Sequence, residues 1–110
     1  MEIVTIKEDK TVVMMVKGRI DAVTTPEFEK SLSAFLNDDC VTLILNFKGL
    51  EYISSIGLRA ILAAAKQLKT RNGRMCFAAL QGSVKDVFKI SGFGSIFKIY
   101  ETEEEALQVY

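Results

Sequence analysis

Histidine is absent from this 110-residue chain. Its absence excludes Ser-His and Cys-His nucleophilic catalysis and removes the commonest protein metal ligand in the same step. Two cysteines, Cys40 and Cys76, are too few for a disulfide scaffold and do not make a metal or redox spacing. Both adjoin apolar strand patterns and read as buried small hydrophobes. A single proline occurs, and no linker, internal repeat or low-complexity tract divides the sequence, so one domain over 1–110 is expected. No apolar run approaches the ~20 residues of a membrane span, and Met1-Glu2-Ile3-Val4 lacks the basic-then-apolar pattern of a secretory signal. A soluble cytoplasmic protein without membrane engagement is the expectation. Net charge is also lacking, with Lys+Arg 14 against Asp+Glu 14, so no overall attraction to nucleic acid or anionic lipid is indicated.

What the chain does have is 49% hydrophobic residues, enough for a core without covalent staples. Its charge is unevenly placed: Arg59, Lys66, Lys69, Arg71, Arg74 and Lys85 lie in a stretch, 52–85, that holds no acid. Helix 58–70 therefore presents a basic solvent face. Strands are expected at Ile3–Glu8 and Thr11–Lys17, joined as a hairpin by Glu8-Asp9-Lys10, with the second apolar on both faces and hence interior. Gly18-Arg19-Ile20-Asp21 then leaves the sheet. Thr25 caps a helix whose first turn holds Pro26 and whose buried stripe is Phe28, Leu32, Phe35 and Leu36, ending at Asn37-Asp38-Asp39. Strand 41–47 leads to helix 56–70, with Leu58, Ile61, Leu62, Ala65 and Leu68 on one face and Asn72-Gly73 as its stop. Strand 74–80, helix 83–91 (Val84, Val87 and Phe88 inward, Gly92 as stop) and strand 96–100 follow. A Thr102–Glu105 capping box opens a last helix that packs Ala106 and Leu107. The fold class is α/β: a mixed sheet of about five strands, antiparallel at its start and parallel by crossovers after it, with about four helices.

Ser54 and Ser55 sit where strand 41–47 hands over to helix 56–70. Hydroxyls there can cap the helix, and its free N–H groups and dipole also favour an anion such as a phosphate. A serine nucleophile needs a base; without histidine only lysine remains, and the nearest upstream is Lys48. Gly57 alone does not supply the two glycines of a nucleophile elbow, so a hydrolase is disfavoured. Gly92-Phe93-Gly94 lacks the rest of a dinucleotide fingerprint, and no Walker-type Gly-x-x-x-x-Gly-Lys occurs. No catalytic residue, metal or cofactor is called for. Asp21 follows the second strand at the end where the 47–55 loop arrives, either as a local turn residue or as part of a site at the carboxyl ends of the strands.

Gly18-Arg19-Ile20-Asp21-Ala22, Leu43-Ile44-Leu45-Asn46-Phe47, Tyr52-Ile53-Ser54-Ser55-Ile56-Gly57-Leu58, Leu80-Gln81-Gly82-Ser83-Val84 and Phe88-Lys89-Ile90-Ser91-Gly92-Phe93, in that order, resemble the STAS domain over essentially the whole chain. Within it they resemble the anti-sigma factor antagonists of bacterial partner-switching systems. The resemblance implies a non-enzymatic switch that binds a serine-kinase anti-sigma factor with a histidine-kinase-like ATPase fold, with a serine phosphatase as a further partner and a monomer or weak dimer as the free state. The family motif commonly reads Asp-Ser-Ser/Ala-Gly-Leu. Aligned on Gly57-Leu58, the phosphoacceptor falls on Ser55, with Ser54 in the aspartate position and Ile56 in the small-residue position, so that modification of Ser54 is the alternative. Partner contact is implied for Asp21, Ser54, Ser55, Ile56, Gly57 and Leu58. Two other readings are a STAS interaction module without phosphorylation, in a lipid-transport or signalling complex, and a small-molecule or nucleotide-binding STAS domain.

Overall fold

Residues 1–36 and 39–109 are described in the computed structural model of the chain. Among them are six strands and five helices: β1 Glu2–Glu8, β2 Thr11–Ile20, α1 Thr25–Leu36, β3 Thr42–Asn46, β4 Leu50–Ile53, α2 Ser55–Lys69, β5 Arg74–Ala78, α3 Gly82–Ile90, α4 Phe93–Ile96, β6 Lys98–Tyr100 and α5 Glu103–Val109. The sheet runs β1-β2-β3-β5-β6, with β4 pairing β2 beyond the end of β3. Only β1–β2 is antiparallel; every other pairing is parallel. The mixed sheet and the interior place of β2 follow the sequence reading, and β3 and β5 are interior as well.

Alternation explains why β2 is apolar on both faces. Val12, Met14 and Val16 point into the main core with Leu43, Leu45 and Phe77, beneath α1, α2 and α3. Val13 and Met15 point the other way, where Val13, Ile44, Cys76 and Ala78 pack with Ala106 of α5. The main core is closed by Phe47, Phe77, Phe88, Phe93 and Phe97, whose rings meet at centroid distances of 4.9–6.2 Å, mostly edge to face. Each such pair adds about 0.5–1.5 kcal/mol beyond area burial.

Several boundaries differ from the expectation, each for a physical reason. β2 continues through Gly18-Arg19-Ile20, because β4 supplies it with a second parallel partner after β3 has ended. A register shift falls at Gly18/Arg19, where Gly18 adopts φ +99°, a region costly to residues with a Cβ. β5 stops at Ala78, since Ala79 turns to φ +60°. The short α4 occupies residues read as loop and strand. Thr25 lies inside α1, buried, and its hydroxyl donates to the Asp21 carbonyl at 2.6 Å. Leu107 is 43% exposed, so α5 packs through Ala106 instead. Thr102 Oγ1 accepts the Glu105 N–H at 3.2 Å, as a helix-start residue should. Asn72 takes φ +60° after α2 as expected, and Arg71 lies just past the end of that helix. Its guanidinium donates to the carbonyls of Leu36 and Cys40 and ties α2 to the α1–β3 connection. Of the helix stop read at Asn37-Asp38-Asp39, the first two residues lie outside the described residues.

Candidate functional site

The carboxyl ends of β2 and β4 meet at one corner. Ile20 pairs with Ile53, and the Ser54 N–H donates to the Ile20 carbonyl at 2.9 Å, so Asp21 and the two serines share one end of the sheet. Ser54 is extended (φ −90°, ψ 169°) and half-buried, and its Oγ accepts the Gly57 N–H at 3.2 Å. It is the N-cap of α2. Ser55 is the first residue of the helix, exposed, and its hydroxyl bonds to none of the described residues. The two serines therefore divide the roles that the sequence left shared: one closes the helix end and the other faces solvent.

Gly57 is buried where α2 crosses β2 and β4. A Cβ at this position would stand 2.6 Å from Ile20 Cγ2 and 3.0 Å from Ile53 Cγ1, closer than side-chain carbons pack. Glycine lets the first turn of α2 lie directly on the two strand ends. Ile56, 44% exposed, points outward, whereas Leu58 is half-buried against the core. The inward line of α2 is Gly57, Ala60, Ile61, Ala64 and Leu68, with Leu58, Leu62 and Ala65 on its flank, a shifted version of the predicted face.

Asp21 organises the turn that enters α1. Its Oδ1 accepts the N–H groups of Val23 at 3.0 Å and Thr24 at 3.1 Å, and the single proton of the Thr24 hydroxyl is shared between Asp21 Oδ1 at 3.2 Å and the Arg19 carbonyl at 2.8 Å. Its own N–H donates to Thr24 Oγ1 at 2.9 Å. The Thr24 N–H, followed by the Val23 N–H, the Thr24 hydroxyl and the nearby Arg19 charge, favours the carboxylate over the acid and holds its pKa below the ordinary value of 3.8. Asp21 is thus a local turn residue in its bonding and a corner residue in its position.

Two corner residues were missed as site candidates. The Arg19 guanidinium carbon lies 4.3 Å from the centroid of the Tyr52 ring, and Arg19 Nε is 3.8 Å from Asp21 Oδ2. Arg19 and Tyr52 are cross-strand partners. That pairing could be read only once Leu50–Ile53 was known to be a strand. Beyond the corner, Cys76 is buried and its thiol is pushed up to about 12, which keeps it protonated and unreactive near neutrality. Among the described residues no group of carboxylates and cysteines could hold a metal ion, and no helix is long and apolar enough to cross a membrane.

The sequence profile of the STAS domain matches residues 2–106. BtrV of Bordetella bronchiseptica, assigned as an anti-sigma factor antagonist, is 33% identical over 104 residues, covering 94% of this chain and 90% of that protein. The anti-sigma-B factor antagonist of Listeria monocytogenes is 28% identical over 92 residues, 84% of this chain and 81% of that one. Among solved structures, the anti-sigma factor antagonist SpoIIAA in its unphosphorylated form superposes with a TM-score of 0.85 at 26% identity, covering 96% and 93% of the two chains. SpoIIAA, a Bacillus cell fate determinant, also matches in its phosphorylated form, with a TM-score of 0.77 at 25% identity and 97% coverage of each chain. Proteins of this kind are non-enzymatic regulators. Profile, relatives and fold agree, and the chain belongs to the STAS domain family, among its anti-sigma factor antagonists.

Proposed function

We propose that this chain is a phosphorylation-controlled switch. With Ser55 unmodified, the corner binds an anti-sigma factor that is also a serine kinase with a histidine-kinase-like ATPase fold, and a sigma factor is released. With phosphate on Ser55 the contact is lost, until a serine phosphatase restores it. The observation that carries this reading is the division between the two serines: Ser54 is engaged as the cap, and Ser55 offers an exposed, unbonded hydroxyl on the first turn of α2.

The physical consequences run in both directions. A phosphate on Ser55 adds about −1.5 to −2 charges and three acceptor oxygens. On the first turn of a 15-residue helix that charge is favourable, so modification leaves the fold in place. A partner surface fitted to Ser55, Ile56 and the flanking corner would instead have to desolvate it. A swing of only ~3 kcal/mol weakens binding more than a hundredfold. Asp21 sets the position of the α1 entry beside the serines, and Gly57 and Leu58 seat the helix that carries them. The test is phosphorylation of the chain by the anti-sigma factor kinase, with the site mapped, followed by affinity measurements on wild type, Ser55→Ala and Ser55→Asp. Phosphate on Ser55, persistent binding by Ser55→Ala and loss by Ser55→Asp support the switch. No phosphate on either serine, with binding equal in all variants, rejects it.

A further inference from the structure

Arg19 is an exposed cation of the corner, held over Tyr52 and loosely paired with Asp21. The side chain is 58% exposed although its guanidinium lies 4.3 Å over the Tyr52 ring. The contact holds the group beside the ring while more than half of the side chain stays open to solvent. Asp21, its ion-pair partner among the described residues, is tied mainly to its own turn: Oδ1 accepts the backbone N–H groups of Val23 and Thr24, and Oδ2 stands 3.8 Å from Arg19 Nε, within reach of charge attraction but beyond hydrogen-bond reach. No side-chain hydrogen bond from Arg19 to a described residue satisfies any of the five guanidinium N–H donors. The register that sets Arg19 beside Tyr52 also sets Ile20 beside Ile53, one residue before Ser54, so this cation flanks the serines. Ser54 itself brings no carboxylate to neutralise it. A planar, pre-positioned guanidinium stacked on a tyrosine suits two-point pairing with a carboxylate, and arginine and tyrosine are the residue types that concentrate binding energy at protein contacts.

We propose that Arg19, held over Tyr52, selects the partner by pairing with an aspartate or glutamate that the anti-sigma factor presents beside the serine corner. The inference rests on the functional reading above, since it names the chemistry of the contact the unmodified corner makes. Tyr52 acts as a positioning residue for Arg19.

The experiment measures affinity of the full chain for the anti-sigma factors of its own genome, at two salt concentrations. Arg19→Glu should weaken binding about tenfold or more, and Arg19→Gln should weaken it less while flattening its dependence on salt. Arg19→Lys should retain part of the affinity, because charge remains but the two-point geometry is lost. Changing the facing acid of the partner to arginine should restore binding to Arg19→Glu. Unaltered thermal unfolding of these variants confines the effect to the contact. Arg19→Glu binding like wild type, while Ser55→Asp still abolishes binding, would overturn the Arg19 assignment and leave the switch standing. Weakening by Arg19→Glu that no partner substitution rescues and that salt does not modulate overturns it as well. Wild type binding none of the anti-sigma factors overturns the functional reading, and this inference with it.

Discussion

Gly57→Ala isolates the packing that seats the serine corner. Gly57 does not occupy the left-handed region, so alanine can adopt its backbone and any loss must come from contact. The new methyl would stand 2.6 Å from Ile20 Cγ2 and 3.0 Å from Ile53 Cγ1, two fully packed side chains at the ends of β2 and β4. Overpacking of this kind costs about 1–3 kcal/mol. Alanine returns up to ~1 kcal/mol through helix propensity, and less in a first turn than in a helix interior. The net expectation is a loss of about 1–2 kcal/mol, or a fall in Tm of roughly 5–10 °C for a chain of this size. Urea denaturation followed by circular dichroism measures it. In an Ile20→Ala background the same substitution should cost less, because the nearest obstruction is gone, giving a coupling term in the double-mutant cycle. Gly57→Ala as stable as wild type would refute the close-approach argument, and additivity with Ile20→Ala would locate the strain elsewhere.

Three further outcomes follow from the same geometry. Ser54→Ala should lose about 0.5–2 kcal/mol and Ser54→Asp almost nothing, since aspartate caps as well as serine, while Ser55→Ala should stay within about 0.5 kcal/mol; denaturation midpoints of the three variants decide this, and equal losses at both serines would contradict the assignment of the cap. Asp21 has a folded pKa below 3.8, so its stabilising contribution is complete above the unfolded value and disappears as pH falls through the folded one. The stability gap between wild type and Asp21→Asn, followed by thermal melts, should therefore shrink below about pH 4. A gap that widens on acidification would reverse the sign. Cys76, with its thiol pushed up to about 12, should resist alkylation at pH 8 until denaturant is added, and rapid labelling of the native chain would contradict its burial.

The fold was legible where one periodicity dominated. Val12 to Val16, apolar at every position, reads as an interior strand because both of its faces are covered, by the main core and by the α5 side. Leu50–Ile53 was not legible as a strand: its two buried residues flank two exposed ones, which is neither an alternation nor a helical spacing. Missing it made Gly18-Arg19-Ile20 look like the exit from the sheet and hid the Arg19–Tyr52 pair. Gly92-Phe93-Gly94 masked α4, since two glycines argue against a helix and only the burial of Phe93 and Phe97 among the other aromatic rings selects one. At the corner, sequence named Asp21 and both serines as candidates. It could not divide the serines' roles, because either hydroxyl can serve as a cap until the first helical residue is fixed.

The most direct test of the account is the affinity of one anti-sigma factor for the chain before and after stoichiometric modification by its kinase, with the modified residue mapped. The account predicts phosphate on Ser55, a fold unchanged by circular dichroism, and binding weakened more than about a hundredfold, matching a swing of ~3 kcal/mol. Phosphate on Ser54 alone, or a Ser55-phosphorylated chain that binds as tightly as the unmodified one, would contradict it.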